Sequence, residues 1–453
     1  MSDNFLPFTI TGKVLSQVGP VIKSVILGVK VGDFVTIQGI SPTDNAAVNI
    51  PAKIISFEKE LAVISPFNAD FKIIPGSKVI AAGSSSQTIN IGCNLLGCVT
   101  DSLGKVMERS TDSKHSEELR RTLPEYEVEK LIIPVPSPLS RERITNIFET
   151  GIRAIDGFLT VGQGQRIAMF AQPGVGKSSL ISSIAGNSKA DVNVIGLIGE
   201  RGRETADFMN DLPETVRAKT VLVVSTSSEP AISRITAAYT ATRIAEYYCS
   251  KNLNVLLQID SLTRLFRAYR EVGLAAGEVP VRRGYPPSVF AELPNLIERP
   301  GNFKGKGSIT AFYTVLLSSD LDEDPMVDEI KGLTDGHFIL KAPLARRGIF
   351  PAVDVLSSIS RLGSQVLKAN ESGEVVVAKR GLSSFLENLE RDKEIFSLGG
   401  VVDDEKFKKS LELETEIENF LKQGIGEQST FSQTKDVLLG LWEGVGKIKG
   451  HNL

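Results

Sequence analysis

Apolar and polar positions change rhythm twice along this chain. To about Gly83 they alternate in short runs such as VGDFVTIQGI and AKIISFEKELAVIS, broken at Gly, Pro and Asn. That period of two predicts short strands closing into a small β-barrel or sandwich. From about Ser84 to Ala369 the apolar runs become nearly continuous: RIAMFA, VNVIGLIG, KTVLVVST, NVLLQID and SITAFYTVLL. Helical stretches lie between several of them. EPAISRITAAYTATRIAEYYCS is the clearest, opening at Pro230. Strands rich in Val, Ile and Leu that alternate with helices predict an α/β domain with a parallel sheet covered on both faces. After about Asn370 the rhythm is helical. Leu382, Phe385, Leu386 and Leu389 stand at i, i+3, i+4 and i+7, Leu413, Ile417, Phe420 and Leu421 follow a similar spacing, and a third segment runs near TKDVLLGLWEG. The expected domains are therefore 1–83, 84–369 and 370–453.

Composition narrows the classes. Apolar residues are 42% and charged residues 23% of 453, ordinary for a globular chain, and the net charge is −3. A sequence-blind nucleic-acid binder needs a basic surface, so no nucleic-acid partner is expected. Cys93, Cys98 and Cys249 are the only cysteines, too few for a disulfide framework, which points to a reducing compartment. With three histidines in all, a metal–thiolate site is disfavoured. The opening MSDNFLPFTITG has no basic stretch before an apolar run, so no secretory signal is expected. No apolar run approaches the roughly 20 residues of a membrane span, so any membrane contact is expected to be peripheral.

The chemistry concentrates at AQPGVGKSS. A strand, RIAMFA, feeds a glycine-rich turn, and the turn feeds a helix near Lys177, the context a phosphate loop requires. Gly174 and Gly176 let the backbone curl so that N–H groups face phosphate oxygens, and the helix N-terminus adds its positive dipole end. Lys177 supplies a point charge to the β- and γ-phosphates and Ser178 a hydroxyl to Mg²⁺. The first glycine of the G-x-x-x-x-G-K-[ST] pattern is Ala171 here. Asp260 ends the strand NVLLQID, where a carboxylate beside the loop can hold Mg²⁺. Glu200 follows another strand, in GLIGERGRETADF, and can orient and deprotonate a water attacking the γ-phosphate, although a surface charge cluster satisfies the same spacing.

Several longer stretches carry a resemblance: GERGRETADFMND, SSEPAISRITAAYTATRIAEYY, IDSLTRLFRAYREVGLAAGE, RRGYPPSVFAELPNLIER and FPAVDVLSSISR, preceded by LLGCVTDSLGK and TGIRAIDGFLTVGQGQRIAMF. Together they resemble the rotary ATPase superfamily. Within it, YTATRIAEYY, GLAAGE and RRGYPPSVFAELP are most similar to the type III secretion and flagellar export ATPases. SVILGVKVGDFVTI leans toward the injectisome branch.

The resemblance implies a RecA-like nucleotide domain between an N-terminal barrel and a helical tail. It also implies a homohexamer with ATP sites between subunits. Residue by residue, it implies that Gly174, Val175, Gly176, Lys177, Ser178 and Ser179 form the phosphate loop and that Glu200 is the catalytic glutamate, followed by Arg201. Glu204 is implied beside the water shell of Mg²⁺, Asp260 as the strand-end carboxylate, and Arg264 near the γ-phosphate. Phe350 falls where an aromatic packs on adenine, and Arg361 on the finger that reaches the neighbour's site. GLAAGEVPVRRGYPP is read as a loop facing the ring axis, with Val279 where relatives carry proline.

The implied function is Mg²⁺-dependent ATP hydrolysis that releases substrates from chaperones and helps unfold them for export. The setting would be cytoplasmic, peripheral at the inner-membrane base of a secretion machine. Implied partners are a stator-like regulator, a central stalk protein, chaperone–substrate complexes and the export gate. Rival readings are a flagellar export ATPase, a catalytic rotary synthase or V-type subunit, a non-catalytic rotary subunit, against which Glu200 argues, and an RNA translocase on the same core, disfavoured by the charge balance.

Overall fold

The computed structural model describes residues 10–68, 70–81, 87–109, 117–317, 325–398 and 404–449. The opening residues 1–9, where a secretory signal was sought, lie outside the described residues, as does the expected boundary at 83/84.

The alternating N-terminal segment closes on itself. Strands Thr11–Val18, Val21–Val25, Leu61–Pro66, Ala47–Glu58, Phe34–Ile40 and Lys78–Ala81 are neighbours in that order around a closed barrel. One face of each strand supplies the barrel core, including Val14, Ile22, Ile37, Ile50, Ile54 and Ile64. Of the two architectures the alternation allows, it is therefore the barrel. Ser233 donates to Phe67 O at 2.8 Å, joining the barrel to the next layer.

The central sheet has nine strands. From one edge they run Ile359–Ser360, Gly336–Leu340, Arg166–Ala171, Ile309–Leu316, Val255–Asp260, Val192–Glu200, Thr220–Thr226, Cys98–Thr100 and Val106–Arg109. The pairings are parallel except at the two ends. RIAMFA shows why its pattern is continuous rather than alternating. Ala168 and Phe170 enter the core beneath helices Ala231–Ser250 and Leu262–Ala275, while Ile167, Met169 and Ala171 enter the opposite core with Leu180, Ile181 and Ile184 of helix Lys177–Asn187. Both faces are dry, so every position from Ile167 to Ala171 is apolar. Helix Leu262–Ala275 extends into the stretch read as an axial loop, which is shorter than expected and occupies residues 276–286.

Helices Gly373–Ser397, Asp404–Leu421 and Phe431–Lys449 form the C-terminal layer, with Leu382, Phe385, Leu389, Leu413, Ile417 and Phe420 buried. A Cβ on Gly381 would stand 2.0 Å from the Trp442 ring, so only glycine allows the indole to lie on this helix backbone. The layer is fastened to the core of the central domain. Arg153 Nε donates to Phe420 O at 2.7 Å, Gln423 Nε2 to Gly151 O at 2.7 Å, and the Gln423 backbone N–H to Phe350 O at 2.7 Å. The last bond ties the helical layer to the turn that carries Phe350. Among the described residues no helix is long and apolar enough to cross a membrane.

Candidate active site

Parallel strands that share a direction deliver their C-terminal residues to one edge of the sheet. Ala171, Glu200, Asp260 and Leu316 all end strands there. After Ala171 the chain turns through Gly174 at φ 82° and Gly176 at φ 86°, both in the left-handed region that glycine adopts without strain, and helix Lys177–Asn187 begins. Ala171 explains its own departure from the motif. It is still part of the strand, pairing Leu316 and Leu340, so its extended backbone needs no glycine and its methyl is buried.

Four charged side chains meet behind this turn. Lys177 Nζ hydrogen-bonds Asp260 Oδ1 and lies 3.7 Å from Glu200 Oε1. Arg264 pairs with Glu200 Oε2 at 2.7 Å and also donates to Gly199 O. Asp260 and Glu200 are 4% and 5% exposed, so this is an interior network of two cations and two anions and not a surface cluster. Burial, then the neighbouring charge of Asp260, pushes the Glu200 carboxyl up to about 7. Its Oε1 is buried without a hydrogen-bond partner. A carboxylate with one oxygen held by arginine and the other, beside Lys177, still open to a hydrogen bond can orient a water.

One member of this network carries no sequence motif. Thr314 Oγ1 donates to Asp260 Oδ1 at 2.6 Å, fixing the carboxylate from the adjacent strand. Its signal was slight, a hydroxyl in the otherwise apolar SITAFYTVLL. Arg234 and Arg267 were missed too. With Gly199, Arg201, Ser227 and Arg264 they line a cavity of about 270 Å³ beside Glu200.

The remaining expected residues take other positions. Val175 is buried under the loop, while Gly174, Ser178 and Ser179 are exposed at its mouth. The Phe350 ring packs against the loop, 3.3 Å from where a Cβ on Gly176 would stand, and is 44% exposed, a face free to take a planar ligand. Arg201 and Glu204 are exposed and approach each other at 3.9 Å at the rim of the site, where Glu204 also hydrogen-bonds Glu200 and helps to raise its pKa.

Arg361 is far from the loop of its own chain. It follows the edge strand, its backbone N–H bonds Asp335 O and its Nη2 bonds Lys331 O at 2.9 Å. Asp335 in turn bonds Arg166 O, at the start of the strand whose other end carries the glycine-rich loop. Five residues of strand, about 16 Å, separate those levels. The guanidinium is exposed at the sheet edge.

The donor set fits Mg²⁺ held jointly with a substrate. Among the described residues no group of three or more acidic, His or Cys side chains could hold a metal unaided. One carboxylate, Asp260, and one hydroxyl, Ser178, flank the loop, the sparse protein contribution Mg²⁺ takes when phosphates and waters complete its octahedron.

Comparison with known proteins agrees with this geometry. The nucleotide-binding domain of the ATP synthase alpha/beta family matches residues 151–360. The chain is 37% identical over 97% of its length to the flagellum-specific ATP synthase of Bacillus subtilis, covering 96% of that protein. It is 38% identical over 94% of its length to the type 3 secretion system ATPase of Xanthomonas euvesicatoria, covering 93% of it. The assembled ATPase EscN from the type III secretion system of enteropathogenic E. coli superposes with a TM-score of 0.83 at 37% identity, over 95% of this chain and 100% of that one. EscN has also been solved in complex with its central stalk EscO, and that structure superposes with a TM-score of 0.81.

Proposed function

This chain belongs to the type III secretion and flagellar export ATPases of the ATP synthase alpha/beta family, and from that premise we propose that it hydrolyses ATP, with Mg²⁺, to energise injectisome protein secretion. The observation that carries the proposal is the buried network behind the loop. Lys177, held between Asp260 and Glu200, is poised to exchange a carboxylate for the phosphates. The curled backbone from Gly174 to Ser179 cradles them, and Phe350 stacks on the base. Glu200, kept near neutral pKa, accepts the proton of the attacking water, while Arg264 orients it. Mg²⁺ would supply positive charge there to offset the charge on the phosphates. Asp260, steadied by Thr314, and Ser178 are the residues that would hold it, with Glu204 acting on its water shell. Arg201 adds positive charge at the rim.

Arg361 cannot serve its own loop from the far end of the sheet. Its role is to enter the site of the next copy in a homohexamer, as the finger that stabilises transition-state charge. The solved assembly of EscN, and its complex with the stalk EscO, support a ring and a central stalk partner. The axial loop at 276–286 is the part we assign to that stalk. A stator-like regulator at the barrel, chaperone–substrate complexes at the helical layer, the export gate and a peripheral place at the inner membrane complete the proposal, with domains at 1–83, 84–369 and 370–453. Injectisome and flagellar relatives stand at 38% and 37% identity, and the flagellar system is the second reading. The EscN likeness and SVILGVKVGDFVTI support the first. ATPase rate per chain, measured against protein concentration beside the mass of the assembled species, tests it. Turnover must rise with assembly, and equal turnover by the isolated monomer overturns shared sites.

A further inference from the structure

A second cationic pocket lies where helix Gly373–Ser397 packs against the segment leading to Arg361. Its volume is about 330 Å³. Lys379, Arg380, Ser383 and Ser384 line it from the helix, at the i, i+4 spacing that brings them to one face, and Ser358 and Ser360 line it from the opposite wall. Lys379 is 9% exposed and has no hydrogen bond or ion pair among the described residues. Its ammonium stands close to Gly363, since a Cβ there would lie 3.4 Å from Nζ, so it sits two residues beyond Arg361. Glu387, on the rim, is the pocket's one acidic side chain. A buried, unpaired lysine is expensive, and such groups normally have a counter-charge.

We propose that this pocket is an oxyanion site, taking inorganic phosphate or a phosphate group of similar size between Lys379 and Arg380, with the Ser383 and Ser384 hydroxyls as further donors. The chemistry fits on three counts. Two adjacent cations and hydroxyl donors make a tetrahedral-oxyanion set, and no carboxylate among the described residues pairs with Lys379. Burial and the charge of Arg380 together push the Lys379 ammonium down to about 8, a penalty that a bound anion reverses. Third, the pocket wall is the strand Ile359–Ser360 itself, whose Ser360 Oγ donates to Thr160 O at 2.8 Å and accepts from Gln165 Nε2 at 3.1 Å. An anion seated there bridges the helical layer to the segment presenting Arg361. The pocket lies apart from the phosphate loop and does not depend on the catalytic reading.

Site-resolved labelling tests it on the full chain. At pH 8 about half of the Lys379 amines are neutral and open to acetic anhydride, read by mass spectrometry against exposed Lys368. Saturating phosphate that restores an ordinary lysine pKa lowers the neutral fraction below about 1%, so Lys379 labelling slows more than about tenfold while Lys368 is unchanged. In Arg380→Gln, a change at an exposed position, protection needs higher phosphate. No slowing at millimolar phosphate, equal slowing by chloride at matched ionic strength, protection by acetate but not phosphate, or unchanged protection in Arg380→Gln would each overturn the assignment.

Discussion

Replacing Lys177 by methionine keeps most of the side-chain volume and removes the charge between two buried carboxylates. Losing one partner of a buried ion pair leaves the other uncompensated, at a cost of about 3–5 kcal/mol. Arg264 still pairs with Glu200 at 2.7 Å, so the lower figure, about 3 kcal/mol, applies. Asp260→Asn in the same background removes the orphaned charge while Thr314 can still donate to the amide oxygen, and about 2 kcal/mol should return. The sign of the pH dependence follows from Glu200. Its folded pKa is raised from 4.5 to about 7, so the stability it lends is present below 4.5 and lost as pH rises through about 7. Without Lys177 that pKa rises further and the loss extends to higher pH. The gap between parent and Lys177→Met is therefore larger at pH 8 than at pH 6. Urea unfolding of the parent, both single variants and the double variant, followed by far-UV circular dichroism without nucleotide, measures all of this. Single effects that add within about 0.5 kcal/mol, with a gap independent of pH, would refute the coupled network.

Three further outcomes follow from the same geometry. Glu200→Gln retains nucleotide affinity and loses turnover by about 10²–10⁴, checked by equilibrium binding beside steady-state rate. Phe350→Ala, which strips the exposed ring from the loop, weakens nucleotide binding by about 1 kcal/mol with little change in kcat, read by a competition assay. Gly381→Ala drives a methyl into the Trp442 ring and costs about 1–3 kcal/mol; the chain's one tryptophan reports the displacement as an emission shift.

Most of the fold was legible because both faces of the sheet and the apolar stripes of the helices leave strong periodic signatures. RIAMFA and NVLLQID read as buried strands because both neighbouring layers are dry. The barrel was less so, since alternation alone suits a sandwich equally and closure depends on long-range pairing such as Thr11 with Ile80. At the site, Lys177, Ser178 and Asp260 were legible from local chemistry. Arg361, Arg264 and Phe350 were not, and rested on resemblance. Nothing local marks an arginine after SIS as remote from its own loop; that follows from the edge strand pairing Ser360 with Gly336. Thr314 and Lys379 were hidden because their meaning lies in neighbours far along the chain, Asp260 and Gly363.

The central claim is that each site is shared by two copies of the chain. It is tested most directly by mixing Glu200→Gln with Arg361→Ala before assembly. Each variant alone has every site impaired. In an equimolar random ring about a quarter of the interfaces join an intact Glu200 to an intact Arg361 from the neighbour, so activity should recover to about a quarter of the parent value. A mixture no more active than its two components, although it forms rings of the parent mass, would contradict the account.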